Sequence, residues 1–339
     1  MPSLSVILPT LNCMPLLPAH IASMRPWLDL ADEIIVVDSF SNDGTVEYLQ
    51  RELAGLPVQF HNRPRGLYQA WNFGIQQAAH HWLYISTVGD SISSDLLRHL
   101  IALGEATQAD LVLSRPSCVF DPGLDGEPIR WAIHDILETA APRNDFLLSH
   151  AAAHFFALIH AHTSALLGSS ASNLYRTAQL QKYPFPTEYG TAGDCAWGLL
   201  HALHCRVACT AHEGSVFRIH AKSYTAADYQ IDQLFERLQT LGLEIHRQAN
   251  RPELLAPLLL PEILASRDEL ASRYNELKLM RKANRFWFLH GKIWTTRRET
   301  KRLRKQLKSH QGAAYTRIRQ THITPIALGT ATDALASTS

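Results

Sequence analysis

Acids and amides recur in this sequence directly after short apolar runs. Pro9-Thr10-Leu11-Asn12 follows Ser5–Leu8, Asp38-Ser39 follows Glu33–Val37, and Gly89-Asp90 follows Trp82–Ser86. Short polar side chains at such positions can hydrogen-bond a ligand without filling the crevice that holds it. Another carboxylate, Asp194 in Gly190–Trp197, falls at a loop-to-helix junction, where it can cap the helix. The histidines offer less. His150 and His154 are four apart and His160 and His162 two apart, but no acid completes an H-E-x-x-H spacing, so a helix lined with histidines is expected rather than a zinc site. Five cysteines without a C-x-x-C pair suit neither a disulfide framework nor a structural zinc, and Cys205 and Cys209 read as small buried hydrophobes. There is no Gly-rich phosphate loop and no Ser-His-Asp signature.

The elements that must position these residues alternate. Ser5–Leu8, Glu33–Val37, Val58–Phe60, Trp82–Ser86 and Leu111–Leu113 read as strands, the first two rich enough in Val and Ile to be buried on both faces. Helical spacing fills Leu16–Leu30, Val46–Leu53 and Tyr68–Ala79. That alternation predicts an α/β layered domain, whose ligands sit at the carboxyl ends of the strands. From Arg115 to Asp145 prolines break the pattern. Order resumes over 173–219, with a helix from about Asp194 to His204, and a helical basic segment begins at Pro261. Small polar residues after Thr321 suggest a disordered end.

At 339 residues with 46% hydrophobic content, the chain can bury a large core. Its net charge of +1 conceals an asymmetry: residues 1–266 carry 16 basic and 26 acidic side chains, whereas 267–308 carry 14 basic and 4 acidic. An acidic body with a basic arm points to a polyanionic or membrane-surface partner for the arm alone. The arm interleaves cations with Phe286, Trp287, Phe288 and Trp294, a composition suited to an interfacial helix on anionic lipid. Phe146–Gly168 is the most apolar long stretch, but four histidines make it a poor membrane span. A reducing cytoplasmic location is expected, peripheral on the inner face of the membrane if the arm binds lipid.

Ser5–Asn12, Glu33–Thr45 and Gly66–Ile75, continued through Trp82–Asp90 and more weakly through Asn173–Leu200, resemble in order and spacing the family 2 glycosyltransferases of the GT-A fold. The resemblance covers roughly residues 4–225. It implies a mixed, mostly parallel sheet between helices over 1–225, followed by a helical basic region at 226–320 and a disordered tail at 321–339. The implied activity is inverting transfer of a sugar from a nucleotide diphosphate sugar to an acceptor hydroxyl in surface polysaccharide, lipopolysaccharide or glycoprotein assembly. The acceptor would be a sugar, a lipid-linked molecule or a protein, and no nucleic acid is implied. A nucleotidyltransferase on a similar sheet and an inactive sugar-nucleotide-binding scaffold are the rival readings.

The resemblance also implies roles. Pro9, Thr10, Asn12, Asp38, Arg65, Gly66 and Asn72 would bind the nucleotide sugar, with Asp38 facing the nucleobase. Asp90 and His220 would hold a divalent Mn²⁺ or Mg²⁺, which offsets charge on the leaving diphosphate. Asp194 would be the catalytic base. The chain departs from the pattern at Gln69 and Pro64-Arg65, where relatives carry acids, and at Gly89-Asp90, which keeps one acid of the usual pair.

Overall fold

The computed structural model describes residues 2–328 except 125, 127, 142, 161–165, 221–236, 239, 243, 246–258 and 284–290. The chain forms two compact units, Met1–Ala249 with Ile323–Ser339, and Asn250–His322.

The first unit opens with the expected alternation: β1 (Leu4–Thr10), α1 (Leu17–Met24), β2 (Glu33–Asp38), α2 (Thr45–Glu52), β3 (Val58–Asn62), α3 (Leu67–Gln77) and β4 (Trp82–Ile85). A short strand β5 (Ser91–Ile92) leads into α4 (Ser94–Thr107), which Ser93 caps by accepting the Leu96 N–H. Then come β6 (Leu111–Ser114), β7 (Ser117–Phe120), α5 (Ala132–Ala140), β8 (Asp145–Leu148) and α6 (His150–Ile159). The remainder is β9 (Asn173–Arg176), α7 (Thr177–Lys182), α8 (Gly193–His201), β10 (Val207–Thr210), β11 (Ser215–Ile219) and, far along the chain, β12 (Ile323–Pro325).

Nine strands form one sheet in the order β12-β8-β10-β6-β9-β4-β1-β2-β3, and β5-β11-β7 form a second. In the large sheet β1, β2, β3 and β4 are parallel, and β9 is inserted antiparallel between β4 and β6. The consequence is that β1, β2, β4, β6 and β10 all deliver their carboxyl ends to one edge. β1 and β2 are buried on both faces, as their Val and Ile content requires, while β3 is a polar edge strand. The core joins Leu4, Val6, Leu8, Ile34 and Val36 to the buried face of α1 and to Leu97, Leu100 and Leu103 of α4.

Three expectations change. The apolar stretch from Phe146 begins as strand β8, because Leu147 and Leu148 pair with β10; Ser149 then caps a helix buried on nearly every side, and His162 lies outside the described residues. The 225/226 boundary moves to 249/250, since Leu238 is fully buried and a side-chain carbon on Gly242 would meet Leu158 and Leu199 of the first unit. The tail does not begin at 321. Ile323–Pro325 adds to the sheet beside β8, and the Ile326 amide donates to the Asp145 carbonyl at 2.9 Å, so residues 323–328 are held in place. Residues 329–339 lie outside the described residues.

The second unit is a helical hairpin of Leu259–Ala283 and Gly291–Thr321. Arg273 bridges Glu276 at 3.0 Å on its own helix and Glu299 at 3.5 Å on the other. No helix among the described residues is long and apolar enough to cross a membrane.

Candidate active site

The loops after β1 and β2 are laced together by short polar side chains. The Asp38 carboxylate, 2% exposed, accepts from the Thr10 hydroxyl at 2.8 Å, the Ser41 N–H at 2.7 Å and the Ser41 hydroxyl at 2.6 Å. Ser41 Oγ in turn accepts the Asn12 N–H, and Asn12 Oδ1 accepts the Asn42 N–H. Asn12 takes a left-handed conformation at φ 46°, which Asn tolerates better than most residues. Above this lacing lies a cleft of about 400 Å³, whose wall includes Pro9, Thr10, Asn12, Arg65, Gly66 and His220. Six of the sequence-derived residues therefore share one cavity at the carboxyl edge of the sheet. Asp38 does not face it. Its carboxylate is committed beneath the floor, where it sets the shape of both loops.

Asp90 ends the turn after β4. Gly89, at φ 105°, makes that turn, and a side-chain carbon there would come within 3.6–3.7 Å of the His220 imidazole. Asp90 is 5% exposed and accepts the Arg218 N–H of β11 at 2.9 Å, so β11 delivers Arg218 to Asp90 and His220 to the cleft. Burial raises the Asp90 carboxyl to about 7, against the pull of the Arg218 hydrogen bond. The turn is pinned from the other side by His20 of α1, whose Nδ1 lies 3.0 Å from the Asp90 carbonyl and whose Nε2 lies 3.0 Å from Ser86 Oγ. Burial lowers the His20 imidazole to about 4, so it is neutral at pH 7.

Asp90 and His220 thus flank Gly89 but open on different spaces. Asp90 lines a neighbouring cleft of about 300 Å³ with His20, Asp121 and Arg218. One carboxylate and one imidazole are too few for a closed protein shell. An ion shared between them would take most of its ligands from phosphate and water.

Asp194 stands in the first turn of α8, half-buried, with its Oδ1 accepting the Cys195 N–H at 2.8 Å. Burial raises its carboxyl above the ordinary range, opposed by hydrogen bonds from the Cys195 amide and the Tyr68 hydroxyl. Tyr68 belongs to the first turn of α3, the turn whose Leu67 and Ala70 line the cleft. Gly193 permits this approach, since a side-chain carbon there would lie 2.6 Å from both Tyr68 Cδ2 and the Pro186 carbonyl. Asn72, one turn further along the same helix, is not a cleft residue. Its amide is used twice on Phe185, donating to the carbonyl and accepting the N–H, both at 2.8 Å, and so braces the segment that precedes Asp194.

Sequence reasoning missed His20 and Ser41. His20 shares the inward face of α1 with Leu17, Ile21 and Met24, and a polar residue in an apolar stripe was the signal available. Ser41 reads as a turn residue, and only the fold sets it against Asp38 and Asn12.

Residues 5–164 match the family model Glycosyl transferase family 2. Among curated proteins, PGL/p-HBAD biosynthesis glycosyltransferases of Mycobacterium tuberculosis and Mycobacterium bovis are 31% identical over 116 residues, covering 33% of this chain and 45% of theirs. The chain thus spans less than half the length of the curated relatives it matches. Among solved structures, S. aureus TarS 1-349 in complex with UDP-GlcNAc superposes with a TM-score of 0.53 at 17% identity, over 76% of this chain and 71% of that one. The longer S. aureus TarS structure gives 0.58 at 16% identity, over 94% and 55%. Residues 5–164 thus resemble the glycosyl transferase family 2 in sequence, and the chain shares with S. aureus TarS the GT-A fold.

Proposed function

We propose that this chain is an inverting glycosyltransferase that moves a sugar from a uridine diphosphate sugar to an acceptor hydroxyl. The observation that carries the reading is the pairing of a strand-edge cleft walled by Thr10, Asn12, Arg65 and His220 with a half-buried carboxylate, Asp194, beside Tyr68 of the α3 turn that lines the cleft. The choice of uridine draws on TarS, which is solved with UDP and with UDP-GlcNAc. In this reading the loops after β1 and β2, held by Asp38, take the nucleoside. Arg65 and His220 meet the diphosphate. Asp194 takes the proton of the acceptor hydroxyl while its oxygen attacks the anomeric carbon and the bond to the diphosphate breaks. Its raised affinity for a proton suits a base, because a carboxylate matched to the working pH is more effective than a strongly acidic one.

A Mn²⁺ or Mg²⁺ would be held by Asp90 and His220 and would supply charge neutralisation for the departing diphosphate. Asp90 lies in the buried Gly89 turn, tied to β11 by the Arg218 amide and to α1 by His20. Acceptors in cell-surface assembly, sugar, lipid-linked or protein, are the class we infer, on the analogy of relatives named for PGL/p-HBAD biosynthesis.

The test compares the parent chain with Asp194→Asn, reading UDP binding by calorimetry and UDP release from UDP-sugars. Asp194→Asn should keep UDP affinity and lose roughly 10²–10⁴ in turnover, since an amide cannot accept the acceptor proton. The parent's turnover should fall with acid along a limb that the variant lacks. Near-parental turnover in folded Asp194→Asn would reduce the residue to a helix cap, and a parent that binds UDP without turnover on any UDP-sugar would favour a binding scaffold.

A further inference from the structure

The same sheet edge carries a second set of groups at its other end. His99 lies midway along α4, Asp145 opens β8, and His212 sits in the loop between β10 and β11. Asp145 is buried at 8% exposure, His99 is half-buried and His212 is exposed. His99 Nε2 is 3.0 Å from Asp145 Oδ1 and 3.2 Å from Thr210 Oγ1. The rings of His99 and His212 stack with centroids 3.9 Å apart and planes at 24°. One ligand atom from each of His99, Asp145 and His212 falls within 4.8 Å of the others, and no other trio of His, Cys, Asp or Glu is so gathered among the described residues.

We propose that His99, Asp145 and His212 form a binding site for a divalent transition-metal ion, with Zn²⁺ the best match. Two ligand atoms bound at about 2.0–2.1 Å with tetrahedral angles lie about 3.3 Å apart, so the trio closes on one ion once the exposed His212 ring swings out of its stack on His99 and both ring nitrogens aim at the same point. Two imidazoles and one carboxylate, with a fourth position open to solvent beside exposed His212, make a donor set that zinc accepts and that magnesium, which prefers oxygen, does not. In the strand order β10 is four places from β1, roughly 19 Å at about 4.8 Å per strand, so this position is separate from the cleft at Thr10 and Asn12.

The ion would cross-link three elements. The 211–214 loop already leans on the start of α4, where the Ser93 N–H donates to the Gly214 carbonyl at 2.7 Å. It then runs directly into β11, the strand that carries Arg218 to Asp90 and His220 to the cleft. Fixing His212 to α4 and β8 therefore fixes the root of that strand.

The test titrates ZnCl₂ into the chelator-stripped full-length chain by calorimetry and records the visible spectrum of the Co²⁺ form. His212→Ala, on an exposed residue, is the variant that keeps the fold; Asp145→Asn is the second. The expected result is one Zn²⁺ per chain, an intense tetrahedral Co²⁺ band, and a loss of affinity beyond about 10-fold in His212→Ala, since even outer partners of a metal site cost about 10–100-fold. Asp90→Asn should leave this Zn²⁺ in place, which separates the site from any ion at the donor cleft. Equal Zn²⁺ stoichiometry and affinity in the parent and His212→Ala, no binding by the parent, or loss in Asp90→Asn alone would each overturn the proposal.

Discussion

Asp90 and His20 meet across one backbone turn with opposite demands on the proton. The His20 imidazole drops from its ordinary value to about 4 in the folded chain, so its neutral form contributes stability that is complete above about 6.5 and is lost as pH falls toward 4. The Asp90 carboxyl rises to about 7, so the folded chain binds a proton the unfolded chain has released, and that contribution is present below about 4 and lost as pH rises through 7. Each shift corresponds to something on the order of 3–4 kcal/mol, in opposing directions over the same window. In metal-free protein, Asp90→Asn should therefore melt higher than the parent at pH 8, with the gap closing by pH 4.5, while Mn²⁺-dependent UDP binding weakens. Melting curves across pH check this. A variant less stable than the parent at pH 8 would mean the buried carboxylate is not ionised at a cost. Asp90 was legible in the sequence because it ends a strand at the ligand-bearing edge; its titration was not, since that depends on burial by the folded chain and on the Arg218 amide, 128 residues away.

The hairpin of the second unit shows how an element can be recognised in kind and missed in design. Composition marks it as helical and basic. Along Gly291–Thr321, however, Ile293, Thr296, Thr300, Leu303 and Leu307 are buried at alternating three- and four-residue steps, with Ala314 one heptad further on, the seam of a coiled coil with threonine standing where apolar residues are usual. The cations are thereby turned outward, and Lys278, Arg281, Arg297, Lys301 and Arg304 line one groove of about 670 Å³ with Tyr274. Trp294 is 61% and Leu279 is 68% exposed, whereas Phe286, Trp287 and Phe288 lie outside the described residues. We expect the chain to sediment with anionic vesicles in a salt-sensitive manner, and the quadruple change of Lys278, Arg281, Lys301 and Arg304 to Gln to weaken this by about 1 kcal/mol per residue. Equal sedimentation of parent and variant would exclude the groove from lipid binding. Charge removal is a better probe than truncation at residue 266, which would also delete β12.

At the scale of the molecule, the chain returns from its basic hairpin to complete the first unit. Ile323 is 8% exposed, Ile326 and Leu328 pack on the core, and β12 covers the β8 edge. Ending the chain at His322 should lower the melting temperature, with Ile323 alone contributing about 2 kcal/mol by burial, and should loosen β8 in amide exchange. An unchanged melting temperature would show that the sheet holds its edge without β12.

The sequence by itself determined the alternating strands and helices of residues 4–85, the edge at which Thr10, Asn12 and Asp90 collect, and the split between acidic body and basic arm. These are readable because apolar periodicity, turn residues and charge are local properties. Tertiary structure alone decided the rest. It turned Asp38 under the cleft and Asn72 onto Phe185, set His20 behind Asp90, inserted β9 antiparallel between β4 and β6, and brought β12 back to β8. It also gathered His99, Asp145 and His212 from positions up to 113 apart in the chain. In each case the deciding contact joins residues distant in sequence, where hydrogen-bond satisfaction and packing, not local propensity, select the arrangement.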